Sequence, residues 1–342
     1  MKTEPTVAAN KEQAEAQIST IHDEISRVII GQRDLINQLL IALLSKIPYS
    51  FKGQGREKSG CGHVLLEGVP GLAKTLAVTA IARSIDAQFQ RLQFTPDLLP
   101  ADIVGTRVYE ASSGTFRTEK GPIFAHIVLA DEINRGTPKT QSALLEAMQE
   151  RQVTISENTF ALPEPFWVLA TQNPLEHEGV YVLPEAQLDR FSMKIVVQYP
   201  AADAEEQILK LRLVDQEIQP VISPQQVSEI QELTSRVTVE QQIYRYIVRL
   251  GRITRSEEER TPTVVREMVQ HGISSRSLQH VLALARTHAF MAGREYVLPK
   301  DVKAIAVEAF QHRIVRTIRA ETEGVSGGEI ITELLKWVAL YA

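Results

Sequence analysis

The chain has 342 residues, of which 44% are hydrophobic and 23% charged, and its formal net charge is −5. That length exceeds what one hydrophobic core usually holds, and the composition is ordinary for packed protein, so two globular domains are expected and extensive disorder is disfavoured. The acidic balance gives no general field for nucleic acid, the single Cys61 rules out an intrachain disulfide, and no apolar run is long enough to span a bilayer. The polar start near Met1 lacks the apolar centre of a secretion signal, so a reducing, cytoplasmic setting without membrane insertion is expected.

Residues 1–10 read as a loose tail. A helical period then carries Ile18, Ile21, Ile25 and Val28, is interrupted at Ile29-Ile30-Gly31-Gln32, and resumes from Leu35 to Leu44. Lys46 to Gly60, rich in Gly, Ser and Lys, reads as an exposed loop. From residue 63 to 200 short apolar strands alternate with helices. The strands expected are His63–Glu67, Phe89–Phe94, Ile127–Ala130, Phe166–Thr171 and Ser192–Val197, a pattern for a parallel sheet covered on both faces. Two hairpins interrupt it. One pairs Thr106–Tyr109 with Thr115–Thr118; the other pairs Gln152–Ile155 with Thr159–Ala161 across a turn at Ser156-Glu157-Asn158. Thr137 caps a helix that has Pro138 at its first position. Beyond Pro200 the pattern is helical with no further strand alternation, ending in a loop at Gly324–Gly328 and a helix at Glu329–Tyr341.

The segment Gly68-Val69-Pro70-Gly71-Leu72-Ala73-Lys74-Thr75 follows the apolar Val64-Leu65-Leu66 and opens into a helix. Strand, tight loop, Lys-Thr and helix wrap backbone N–H groups around a phosphate chain. The lysine neutralises phosphate charge, and the threonine hydroxyl can hold Mg²⁺. Ala73 stands where glycine is usual, which is a mild departure provided that position needs no left-handed backbone. Asp131-Glu132 end the buried run Ile127–Ala130, and two adjacent carboxylates there call for a cation. In a nucleotide site Asp131 would hold Mg²⁺ and Glu132 would polarise the attacking water. Asn173, at the end of the next strand, either orients that water or begins a turn before Pro174. The eight histidines are scattered without metal-ligand spacing, and Cys61 reads as a small buried residue.

Several longer blocks carry a resemblance. They are Gln93–Pro100, Ala130–Arg135, Gln141–Val153, Ala170–Pro174 and Pro184–Phe191, the last reading Pro-Glu-Ala-Gln-Leu-Asp-Arg-Phe. With them the chain resembles an AAA+ ATPase, and within that superfamily the MoxR family, from Ile30 to about Val315. The resemblance implies a RecA-like three-layer P-loop core over residues 11–200, with a parallel sheet, followed by a small helical lid domain over 201–342. It makes Gly68–Thr75 the Walker A loop and Asp131-Glu132 the Walker B pair, with Thr75 and Asp131 toward Mg²⁺ and Asn173 as sensor 1. Ile30-Gly31 pass beside the adenine. Arg190 matches the arginine finger supplied to a neighbouring subunit. Arg276 matches sensor 2, at the start of a lid helix facing the phosphates, so that ATP would draw lid and core together. Arg190 could instead pair with a carboxylate of its own chain, and Arg135 or Arg151 could be the residue that crosses. The hairpins match the helix-2 and pre-sensor-1 inserts.

The function so implied is Mg²⁺-dependent ATP hydrolysis in a homo-oligomeric ring, a hexamer. Hydrolysis would be coupled to chaperone-like remodelling of a client protein, with a von Willebrand factor A domain partner. The motor subunit of a metal-chelatase-like complex and a nucleic-acid motor are the alternatives, the second opposed by the net charge. A non-hydrolysing switch is opposed by Glu132 and Asn173. The Lys46–Gly60 loop and Arg255–Pro262 depart from the compact family pattern.

Overall fold

The computed structural model describes residues 7–49, 58–69, 71–174, 179–210 and 217–341; Pro70 and the middle of the Lys46–Gly60 loop lie outside them. A helix occupies Val7–Ser26, so the stretch expected to be a tail already contains helix from Val7. The five strands of the main sheet are β1 (Val64–Glu67), β2 (Phe89–Gln93), β3 (Ile127–Asp131), β4 (Trp167–Gln172) and β5 (Met193–Val196). Each lies within one residue of its expectation at either end. They run parallel in the order β5-β1-β4-β3-β2.

Alternate residues of the central strands feed two apolar layers, which is why β1, β3 and β4 are nearly continuous apolar runs, whereas the edge strand β2 carries exposed polar residues. Val64 and Leu66 of β1, with Ile127, Leu129, Trp167 and Leu169, meet the helices Val7–Ser26, Arg33–Leu44 and Lys74–Ser84. Leu65, Val128, Ala130, Val168 and Ala170 meet the other face, where Pro100–Val104 and Pro138–Glu150 pack with the second hairpin. Thr137 caps Pro138–Glu150 by accepting from Thr140 N–H, as its sequence suggested. The fold is thus an α/β three-layer core with a helical lid.

Three local expectations change. Asn158 belongs to the second strand of its hairpin, opposite Ile155, leaving Ser156 and Glu157 as a two-residue turn with Ser156 left-handed at φ 56°. Ile47–Tyr49 and Lys58–Gly60 pair as a small antiparallel sheet, so the Lys46–Gly60 segment is structured at both ends. In the lid, Val269–His271 pairs with Val315–Arg316, a pairing too short to leave an alternating signature.

The lid does not form a core of its own. Val227, Ile230, Leu250, Val281, Leu284, Phe310 and Leu334 belong to the same apolar cluster as the first face of the sheet. Gln231 donates to Leu43 O at 2.6 Å and Thr234 to Leu44 O at 3.0 Å, satisfying the open C-terminus of Arg33–Leu44. The helix Pro299–Phe310 lies along the β5 edge, and Gln311 donates to Lys194 O at 2.8 Å.

Three buried histidines make this assembly sensitive to pH. Nδ1 of His63 accepts from Val168 N–H at 2.9 Å, Nδ1 of His280 accepts from Arg313 at 2.8 Å, and Nε2 of His312 donates to Phe191 O at 2.9 Å. Burial first, then nearby Arg151 or Arg313, pushes all three well below the ordinary imidazole value. They stay neutral when folded and take up protons on unfolding. Their stabilisation is present above about pH 6.5 and is lost as pH falls below it, by up to about 1.4 kcal/mol per pH unit for each ring. Urea midpoints at pH 7.5 and 5.5 should therefore differ steeply, and His280→Gln should flatten the difference. Equal midpoints would show that these rings are not neutral in the fold.

Candidate nucleotide site

The phosphate loop leaves the C-terminal end of β1 and enters Lys74–Ser84. Gly71 is at φ 88°, a backbone suited to glycine, and a Cβ on Gly68 would sit 3.0 Å from Val197 O. Ala73 is also left-handed, at φ 55°, contrary to the expectation that this position needs no such backbone. The helix begins directly after it, so the loop must reverse there, and alanine holds that conformation at a cost of roughly 1–2 kcal/mol. Gly71 through Thr75 line a cleft of about 420 Å³ together with Leu76, Arg91, Asp131, Glu132 and Thr171 to Asn173. Gly68 and half-buried Val69 form the stem of the loop. Lys74 folds back onto Gly68 O. Burial lowers the lysine's pKa, against the opposing pull of Asp131, Glu132 and Glu67.

Both carboxylates are held by neighbouring donors while lining the cleft. Asp131 Oδ1 accepts the Thr171 hydroxyl at 2.5 Å, and Oδ2 accepts Arg91 Nε at 3.0 Å and Nη2 at 2.6 Å. Glu132 is left-handed at φ 55°, with its backbone N–H donating to Thr171 Oγ1 at 2.8 Å. Its Oε2 accepts from Gln93 Nε2 at 2.8 Å and from Arg135 Nη1 at 2.9 Å. A non-glycine residue in this conformation costs on the order of 1–3 kcal/mol, and such strain concentrates where a side chain must be aimed. Asn173 is buried in the same cleft.

Arg91, Gln93 and Thr171 were missed in the sequence. The first two occupy alternate positions of β2 on the side away from buried Leu92, at the sheet's C-terminal end, and that parity was the available signal. Gly31 is left-handed at φ 74°, and a Cβ there would lie 2.4 Å from Ala204 Cβ. It lines a larger groove between core and lid that meets the phosphate cleft at Gln172, and half-buried Ile30 precedes it.

The arginines divide differently from expectation. Arg190 and Arg276 line one cavity of about 280 Å³ that, among the described residues, shares no lining residue with the phosphate cleft. Arg276 thus lies beside Arg190 and is not among the described residues that line the phosphate cleft. Ser274 caps Ser275–Met291, and the first turn of that helix is tied to Asp189, whose Oδ1 accepts Ser277 Oγ at 3.2 Å and is ion-paired with the Arg313 guanidinium, Nε at 3.0 Å. Arg190 donates to Ala186 O at 2.7 Å, and burial followed by repulsion from Arg276 lowers its pKa. Arg151 is enclosed, donating to Phe166 O and to Cys61 O, and lies over the rings of Tyr49 and Phe166. Arg135 is engaged by Glu132. Arg151 also lines the cavity of Arg190 and Arg276, and the Arg135 side chain is about half exposed. Cys61 is buried and its thiol pKa is raised by burial, which leaves it inert.

The chain resembles known proteins over most of its length. Residues 63–193 match the ATPase family associated with various cellular activities, and residues 261–334 match the AAA lid domain. Chaperone MoxR1 of Mycobacterium tuberculosis is 44% identical over 318 residues, covering 93% of this chain and 80% of that protein. The chain belongs to the MoxR family of AAA+ ATPases. The Bacillus subtilis protein YeaC is 41% identical, covering 92% of each chain. The crystal structure of a putative ATPase from Cytophaga hutchinsonii superposes with a TM-score of 0.85 at 41% identity, covering 96% of both chains. The left-handed Glu132 and the lid tied to Asp189 are thus features of a MoxR-family protein.

Proposed function

We propose that this MoxR-family protein hydrolyses Mg²⁺-bound ATP in a homo-oligomeric ring, a hexamer, and uses the energy to remodel a client protein in a chaperone-like manner. The observation that carries the reading is the convergence of Lys74, Thr75, Asp131, Glu132 and Asn173 on one cleft, while Arg190 and Arg276 line another. Lys74 would neutralise the β- and γ-phosphates, Asn173 would orient water, and Glu132 would take its proton. The protein donors available to the cation are oxygens, the Thr75 hydroxyl and the Asp131 carboxylate, which suits a small hard ion that also takes phosphate oxygens. When bound, Mg²⁺ neutralises the charge that develops on the phosphates. Arg190 would complete the site of the next subunit. Arg276 beside it would do the same, in place of the within-chain role expected for it.

The first hairpin, Gly105–Lys120, supplies a surface for a client. Tyr109 and Phe116 are 57% and 58% exposed, their rings 5.2 Å apart, with Arg107 over Phe116. Exposed aromatic clusters of this kind mark contact sites. A partner carrying a von Willebrand factor A domain fits the family resemblance. The core reading is tested by Lys74→Ala. Loss of the half-buried ammonium should weaken Mg-ATP binding at least about tenfold, as for a charge-assisted phosphate contact. Unchanged affinity by calorimetry would place the phosphates elsewhere.

A further inference from the structure

The cleft contains a connection that the assigned roles leave unexplained. Arg91 is the middle residue of β2, its guanidinium half-exposed, and reaches two acceptors at once. Nε and Nη2 go to Asp131 Oδ2, and Nη2 also donates to Gln93 Oε1 at 3.0 Å. A guanidinium can only donate, so it fixes the Gln93 amide with its oxygen toward Arg91. The amide nitrogen is thereby left to donate to Glu132 Oε2, at 2.8 Å. Asp131, Arg91, Gln93 and Glu132 form one unbroken chain that joins the carboxylate assigned to the cation with the carboxylate assigned to the water.

We propose that Arg91 is a positioning residue with two effects, and the proposal rests on the Mg-nucleotide reading above. First, Arg91 is the internal counter-ion of Asp131, so the carboxylate would have to loosen its hold on the guanidinium to take part in holding Mg²⁺, and Arg91 would thereby set the Mg²⁺ concentration at which nucleotide is bound productively. Second, through Gln93 it keeps Glu132 aimed. Part of the cation requirement is then written into β2 rather than into the phosphate loop.

A fluorescent, non-hydrolysable ATP analogue titrated with Mg²⁺ reads the first effect without turnover. Arg91→Ala should lower the Mg²⁺ midpoint about fivefold, the size of a favourable, partly exposed ion pair. Arg91→Lys should restore the midpoint, because a cation again opposes Asp131. The second effect is read from kcat at saturating Mg²⁺. Arg91→Ala and Gln93→Leu should each lower it about tenfold, as loss of an outer-shell partner does. The double variant should fall no further than either alone. Lysine, lacking the planar fork, should leave kcat low, and Gln93→Leu should leave the Mg²⁺ midpoint in place.

A midpoint unmoved in a folded Arg91→Ala, in a preparation whose wild type binds the analogue, would overturn the counter-ion role. Additive losses in the double variant would overturn the connection through Gln93. Failure of the wild type to bind at any Mg²⁺ concentration would overturn the nucleotide reading itself and take this inference with it.

Discussion

Glu132→Gln is expected to bind Mg-ATP with near-wild-type affinity and to hydrolyse it about 10²–10⁴-fold more slowly, the usual contribution of a positioned base. The phosphate loop, Thr75 and Asp131 are untouched by the exchange. The amide oxygen can still accept from Arg135, so the local geometry survives while the proton acceptor is lost. Single-turnover hydrolysis and equilibrium binding on the same preparation separate the two effects. Wild-type turnover by this variant, free of contaminating ATPase, would remove Glu132 from the role of base. Loss of binding instead would mean that its left-handed turn, anchored by Thr171, had collapsed.

The second large effect concerns Arg190. Arg190→Ala should bind ATP almost normally and lose on the order of 10³–10⁵ in rate, as for an arginine that acts on transition-state charge. It should also be rescued by Glu132→Gln, although each is inactive alone. In a head-to-tail ring of randomly mixed chains, about a quarter of the seams join an intact Glu132 to an intact Arg190. Activity should therefore reappear on mixing once subunits exchange, to a fraction of wild type if seams fire independently. Exchange without recovery, together with a lower unfolding midpoint of Arg190→Ala, would make the arginine a structural residue of its own chain.

The sheet was legible chiefly through its central strands, which are buried on both faces and nearly free of polar residues; β3 and β4 are the clearest. The phosphate loop and the Asp131-Glu132 pair were legible because chemistry requires those residue types at the ends of such strands. Side-chain direction was less accessible. Arg91 and Gln93 look like ordinary polar positions of an edge strand until the neighbouring β3 places Asp131 and Glu132 beside them. Ala73 looked harmless because sequence does not reveal the sign of φ. Arg276 was assigned to a helix start correctly, yet its surroundings depend on Ser277 and Arg313 meeting Asp189, contacts between residues far apart in the chain.

The undivided apolar cluster bears on where such a machine can bend. A hinge needs two bodies with little between them, whereas here helices on either side of residue 200 interleave around Arg33–Leu44 and the β5 edge. Swinging the lid open would bring buried leucines and isoleucines into water and break the carbonyl contacts made by Gln231 and Thr234. ATP is then not expected to clamp lid onto core. In the ring proposed above, each copy would travel as one piece and the flexing joint would be the seam where one copy's phosphate cleft faces its neighbour's arginines. The power stroke of such an engine would then be a property of the assembled ring rather than of the single chain.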